Sequence, residues 1–221
     1  MNVAAVIGSP IKQSLSPTIH NAAFQAHGDD WIYVAFHVAA GEASQAIQAM
    51  RILGIAGLSV TMPHKEDACD AVDALEESAR QAHSVNTIVR QADGSLLCVN
   101  TDGEGCCNAL ESAGAVLASS KVVIIGAGGT ARAVIAAMSL RGVAEIAVVN
   151  RTNSRAKDAA SITSLARVGV ESDIAHANIV VNTTPVGMGA SSKSEFPCDV
   201  AFLGHGQFVH DVVYSPLNTP F

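Results

Sequence analysis

Charge is scarce in this sequence, and what there is forms no cluster. Only 15% of the 221 residues are charged, with 13 Lys and Arg scattered against 20 Asp and Glu for a formal net charge of −7. A nucleic-acid footprint needs a basic stripe that displaces counterions, so no nucleic-acid partner is expected. Cysteine is sparse too: Cys69, Cys98, Cys106, Cys107 and Cys198 form no C-x-x-C pair and no Cys/His set at zinc spacing. The eight histidines hold no H-E-x-x-H pattern. Ordinary buried thiols and no metal are therefore expected. Long apolar runs are also missing. Val122–Ile125 is soon broken by glycine, far short of the roughly 18 to 20 residues that a membrane span requires. Met1-Asn2-Val3-Ala4-Ala5 has no basic segment leading into an apolar core. It reads as a first strand, and a cytoplasmic protein with no membrane partner is expected.

What is present is apolar and alternating. At 49% hydrophobic the chain can bury a sizeable core, and its length suits one large domain or two modest ones. Short β-branched runs alternate with Ala-rich stretches, the pattern of parallel sheets covered by helices. The expected strands are Val3–Ile7, Ile32–Val38, Gly57–Thr61, Val85–Arg90, Leu96–Val99, Val122–Ile125, Ile146–Val149, Ile179–Val181 and Phe208–Val213. Ala92-Asp93-Gly94-Ser95 is a hairpin signal joining two of them. Ser16-Pro17 opens a helix, with Ser16 as N-cap and Ile19, Ala22, Ala23 and Ala26 as its buried face. A second helix runs from Gly129 to Leu140. The domain junction is expected near the helix from about Gly103 to Gly114, because a fresh strand–glycine loop–helix unit begins just after it.

That unit is the clearest chemical signal. Val122–Ile125 runs straight into Gly126-Ala127-Gly128-Gly129-Thr130-Ala131 and then a helix. Glycines there allow a tight turn and close backbone approach to a pyrophosphate, whose charge sits at the helix N-terminus. After the next strand comes Asn150-Arg151-Thr152, with Arg155 one turn on. An NAD site usually places a carboxylate at this position for the ribose hydroxyls. Two guanidiniums pair with a 2′-phosphate instead, so NADP is the expected cofactor.

A nicotinamide supplies hydride but no proton, so a carbonyl reduction needs an acid and the reverse a base. Lys65, in Val60-Thr61-Met62-Pro63-His64-Lys65, and Asp102, in Asn100-Thr101-Asp102-Gly103, are the candidates. Taken singly, Lys65 could be a solvated helix-start residue and Asp102 a helix cap.

Together with Gly8-Ser9-Pro10-Ile11-Lys12-Gln13-Ser14-Leu15-Ser16-Pro17, Val85-Asn86-Thr87, Asn182-Thr183-Thr184-Pro185-Val186-Gly187-Met188 and Asp211-Val212-Val213-Tyr214, these motifs resemble the shikimate dehydrogenase family, in family order and over essentially the whole chain. The resemblance implies two α/β domains, a substrate-binding catalytic domain over 1–102 and a Rossmann-type NADP-binding domain over 103–221. It implies reversible NADPH-linked reduction of 3-dehydroshikimate to shikimate in aromatic amino-acid biosynthesis, by a monomer or homodimer. Ser14 and Ser16 would hold the substrate carboxylate, and Thr61, Asn86 and Asp102 its hydroxyls. Lys65 would be the acid/base with Asp102 as partner, Tyr214 would stand at the cleft, and Val212 would line the cofactor. A quinate or amino-shikimate dehydrogenase, or a non-catalytic binding homologue, would present much the same motifs.

The sequence departs from the family in places. Ser59 replaces the usual Asn before Val-Thr, His83-Ser84 replace Gly-Ala, and Gln13 replaces His. Ser59 is shorter than Asn, so a hydrogen bond is expected to be lost or rerouted through water. Family members also continue past Tyr214-Ser215-Pro216 into helices that rejoin the first domain, which leaves the expectation of a truncated or segment-deleted chain with an apolar surface uncovered. The stretch between Asn150 and Asn182 is expected to be short as well.

Overall fold

The computed structural model describes residues 1–189 and 196–221, and the chain divides into two compact units, Met1–Thr101 and Asp102–Phe221. In the first, the order is β1 (Asn2–Gly8), α1 (Ser16–His27), β2 (Trp31–His37), α2 (Ala43–Leu53), β3 (Gly57–Val60), β4 (Ala74–Leu75), α3 (Glu77–Ala82), β5 (Thr87–Arg90) and β6 (Leu96–Val99). They form one six-stranded sheet in the order β2-β1-β3-β5-β6-β4. β1 runs parallel to β2 and β3, while β5 runs antiparallel to both β3 and β6. The C-terminal ends of β1, β3 and β6 therefore share an edge with the N-terminal end of β5. Ala5, Ile7, Leu58, Val60 and Ile88 face Ile47 and Met50 of α2 in the main core. The opposite face has only a small cluster of Ala4, Val6, Ile11 and Tyr33, with Phe24 of α1 against it.

The second unit holds α4 (Asp102–Ser112), β7 (Lys121–Ile125), α5 (Gly129–Leu140), β8 (Glu145–Val149), α6 (Asn153–Ala160), β9 (Ala166–Val168), β10 (Ile179–Asn182) and β11 (Phe208–Asp211). Its five strands are all parallel, in the order β11-β10-β7-β8-β9. A parallel sheet is covered on both faces, and β10 is accordingly buried at every residue. Leu110, Val134, Ile135 and Met138 of α4 and α5 close one face, and Ile174, Ala177 and Cys198 the other. The chain thus has the two-sheet α/β architecture that its alternating pattern predicts.

Several local expectations change. Ser16 is the first helical residue rather than an N-cap, and its own N–H is accepted by Ser14 Oγ at 3.3 Å. The predicted apolar face of α1 points to solvent: Ile19 is 62% exposed and Ala22, Ala23 and Ala26 are exposed. Pro17, Asn21 and Phe24 face the sheet instead, because Asn21 pairs with both backbone groups of Tyr33, at 2.9 and 2.8 Å. That polar clamp fixes the helix's rotation against an otherwise weak alanine preference. β5 starts at Thr87 rather than Val85, because Val85 N–H is taken by Lys65 O at 2.8 Å. β11 stops at Asp211 rather than Val213. The short strands β4 and β9 were not predicted.

Candidate functional site

In the first unit the motif residues lie along the shared strand edge, laced by short hydrogen bonds. Thr61 N–H donates to Ile7 O at 3.0 Å, and Ser9 N–H to Met62 O at 2.9 Å. A Cβ on Gly8 would lie 2.4 Å from Thr61 Cγ2, so this crossing requires glycine. Beyond it the chain turns through Ser14 into α1, leaving the half-buried Ser14 and Ser16 hydroxyls at that helix's N-terminus. Such a position favours a carboxylate.

Lys65 follows β3 on a loop held at several points. His64 is fully buried, and its Nε2–H donates to Val38 O at 2.9 Å. A carbonyl can only accept, so Nε2 carries a proton, and Nδ1 has no partner among the described residues. Lys65 O accepts from Val85 N–H, and the Lys65 side chain is half-buried. The next residue, Asn86, donates through Nδ2 to Thr101 Oγ1 at 2.8 Å and accepts through Oδ1 from Thr101 N–H at 3.1 Å and Thr87 Oγ1 at 2.9 Å. These bonds set Thr61, Lys65, Asn86 and Thr101 side by side on one edge.

The departures at Ser59 and His83-Ser84 have direct protein partners. Ser59 Oγ accepts from Tyr33 Oη at 2.7 Å. Burial pushes the Tyr33 hydroxyl above the ordinary tyrosine range, against the smaller opposing effect of that bond. His83 takes φ 45, the left-handed conformation that ends α3, which explains a glycine preference there. Ser84 is fully buried, and its Oγ and carbonyl both accept from Asn100 Nδ2, at 3.0 and 2.9 Å. Sequence reading missed the Tyr33 and Asn100 contacts because both partners are distant in the chain.

In the second unit the ends of β7, β8, β10 and β11 carry the other motifs. Gly126 has φ 111, and a Cβ there would sit 2.4 Å from Thr183 Oγ1. Gly128 caps α5 in extended backbone, with nothing within 4 Å of its Cβ position. The loop is therefore packed beneath and open above, with Gly129 and Thr130 starting the helix; a pyrophosphate fits such a cradle. Ala127 is buried beneath it. Asn150 Nδ2 donates to Thr152 O at 2.9 Å after β8, and Arg151, Thr152 and Arg155 are exposed around the start of α6. Asn182 is fully buried. Its Nδ2 donates to Asp211 Oδ1 at 3.0 Å, and its Oδ1 accepts from Thr184 N–H and Oγ1 at 3.0 and 2.7 Å. Val212 N–H donates to Asn182 O at 3.1 Å, while Tyr214, two residues on, is 55% exposed. Asp102 opens α4, in this unit.

Burial pushes the Cys98 and Cys106 thiols up to about 12 and those of Cys107 and Cys198 to about 11, leaving them protonated and unreactive. Among the described residues no His, Cys, Asp and Glu group could hold a metal, and no helix is long and apolar enough to cross a membrane. A depression of about 160 Å³ lies at the opposite edge of the second sheet, lined by Lys121, Glu145, Arg167 and Asp173. Arg167 there is already engaged by Glu145 and Asp173, and the glycine loop is not among its lining residues.

The sequence matches two family descriptions, shikimate dehydrogenase substrate binding domain over residues 6–88 and shikimate/quinate 5-dehydrogenase over residues 108–186. The chain belongs to the shikimate dehydrogenase family. A shikimate dehydrogenase (NADP(+)) of Moorella thermoacetica is 39% identical over 99% of this chain and 77% of its own. The shikimate 5-dehydrogenase of Thermus thermophilus, solved in complex with NADP(H) and shikimate, is 32% identical with a TM-score of 0.89, covering 100% of this chain and 82% of that one. A quinate dehydrogenase of Corynebacterium glutamicum in complex with NAD has a TM-score of 0.87 at 31% identity, over 99% and 82%. The two matched stretches include Ser14, Ser16, Thr61, Lys65 and Asn86 in the first unit and Gly126, Gly128, Gly129, Thr130 and Asn182 in the second.

Proposed function

We propose that this protein is an NADP-dependent shikimate dehydrogenase that interconverts 3-dehydroshikimate and shikimate in aromatic amino-acid biosynthesis. The reduction consumes NADPH and one proton, and the reverse reaction releases them. The observation that carries the reading is the pairing of a glycine cradle at the α5 N-terminus with arginines rather than a carboxylate after β8. Its relatives named shikimate dehydrogenase (NADP(+)) support the same cofactor and substrate.

The division of labour follows the family motifs. Residues 1–102 bind substrate and residues 103–221 bind the dinucleotide. Ser14 and Ser16 hold the carboxylate at the α1 N-terminus. Thr61, Asn86 and Asp102 hold the ring hydroxyls, and Tyr214 adds a further substrate contact. Gly126, Ala127, Gly128, Gly129 and Thr130 receive the pyrophosphate, Asn150, Arg151, Thr152 and Arg155 the 2′-phosphate end, and Val212 the cofactor's apolar side. When bound, the dinucleotide supplies or accepts the hydride. Lys65 moves the proton at the developing or departing alkoxide, with Asp102 as its partner.

Rates of NADP reduction with shikimate, compared with quinate and with NAD, test this reading. Shikimate with NADP is expected to give the highest kcat/KM. Preference for quinate or for NAD would overturn the substrate or cofactor assignment respectively.

A further inference from the structure

Asp102 belongs physically to the helix pair that carries the dinucleotide loop. It is the first residue of α4, and Gly103 beside it touches α5 at backbone distance. A Cβ on Gly103 would fall 2.2 Å from Ala133 O and 2.8 Å from Ala137 Cβ. Further along, Arg141 at the end of α5 binds Glu104 and Glu111 at 2.5 Å each and Asn108 at 3.2 Å, all on α4. The two helices are locked at both ends of their contact. At the N-terminal end, Thr130 Oγ1 lies 3.3 Å from Asp102 Oδ2 and donates to it. Thr130 is the second residue of α5, immediately after the Gly128-Gly129 cradle.

We propose that Thr130 is a positioning residue for Asp102, coupling occupancy of the glycine loop to the orientation of the carboxylate that serves substrate. This rests on the reading above, in which Asp102 contacts substrate and the loop holds a pyrophosphate. The physical argument is one of rotamers. A carboxylate at a helix N-terminus has several hydrogen-bonding choices among backbone N–H groups and solvent. A hydroxyl donor on the neighbouring helix selects among them. Because that hydroxyl sits in the first turn of α5, an anion drawn to the same turn changes the field around Thr130 and Asp102 together. Cofactor and substrate binding are then linked, and linkage of this kind is reciprocal.

The test compares wild type with Thr130→Val, which keeps the shape and loses the donor, and Thr130→Ser, which restores it. Shikimate affinity is measured by calorimetry with and without saturating NADP, so that turnover is not needed. In wild type NADP is expected to tighten shikimate binding by about fivefold or more, within the usual span of allosteric coupling. Thr130→Val is expected to cut that factor below about twofold even when NADP is raised until the variant is saturated, and Thr130→Ser to recover it. Coupling unchanged in Thr130→Val, or a large loss of NADP affinity with coupling intact, would overturn the proposal and leave Thr130 as a cofactor contact only. Failure of wild type to bind shikimate would instead sink the substrate reading. In that event the crystal structure of Thr130→Val decides: an Asp102 carboxylate in its wild-type rotamer overturns the positioning role, and a reoriented one supports it.

Discussion

At the scale of single residues, chemistry was legible where it sits in contiguous motifs and hidden where partners are distant. The glycine loop can be read from its strand–loop–helix context, whereas Lys65 and Asp102 stand out only through the resemblance of their motifs to the family. The Tyr33–Ser59 and Asn100–Ser84 bonds cannot be read in either way, because each joins side chains that only the sheet brings together. His83 shows the cost of one such departure. Its left-handed backbone costs a side-chain-bearing residue about 1 to 2 kcal/mol. Glycine gives part of that back as unfolded-chain entropy, so His83→Gly is expected to stabilise the protein by up to about 1 kcal/mol. Thermal unfolding would register this as a rise of roughly 2 to 4 °C. At the other site, Arg151 and Arg155 stand exposed where a 2′-phosphate is expected. A charge-assisted hydrogen bond contributes about 1.5 to 3 kcal/mol. Replacing both arginines with alanine should therefore raise the KM for NADP by at least about tenfold. Activity with NAD should change little, which steady-state kinetics with the two cofactors would check.

Among elements, strands were read well and helix faces poorly. Parallel strands buried on both sides are unbroken apolar runs, such as Val122–Ile125 and Ile179–Val181, and need no further context. β4 and β9, at two and three residues, are too short for any periodicity. In α1 the alanine periodicity pointed one way and the Asn21 clamp on Tyr33 another, and the clamp prevailed. The α4–α5 contact was likewise invisible until the helices met at Gly103. Gly103→Ala would push a methyl into Ala133 O, a backbone atom that cannot move aside cheaply. Overpacking of this kind costs about 1 to 3 kcal/mol, and a lowered unfolding temperature with weakened shikimate binding is expected. Normal stability in that variant would mean that the helices are less closely set.

Across the whole molecule, acid sensitivity is expected to arise partly at the β8–β9 end of the second unit. Asp173 makes a two-pronged pair with Arg167, at 2.8 and 2.9 Å, and accepts from Val170 N–H at 2.8 Å. The Arg167 bonds hold its carboxyl below the usual range, against partial desolvation. The unfolded chain therefore binds this proton more readily than the folded one. The stabilisation is complete above the unfolded value of about 3.9 and is lost as pH falls through the folded value. Asp173→Asn should lower the unfolding temperature at neutral pH and flatten its decline in acid. An unchanged acid limb would assign that sensitivity to other carboxylates. The family's two-unit plan was legible as a whole because a fresh strand–glycine loop–helix unit begins at Val122, after the motifs of the first unit.

The most direct test of the account is a paired rate measurement, wild type against Lys65→Ala, following shikimate-dependent NADP reduction with NADP binding measured alongside. Wild type is expected to turn over, and Lys65→Ala to bind NADP normally while losing about 10² to 10⁴ in kcat, the usual share of a positioned acid/base. Equal turnover in the two proteins, or none in wild type with NADP bound, would contradict it.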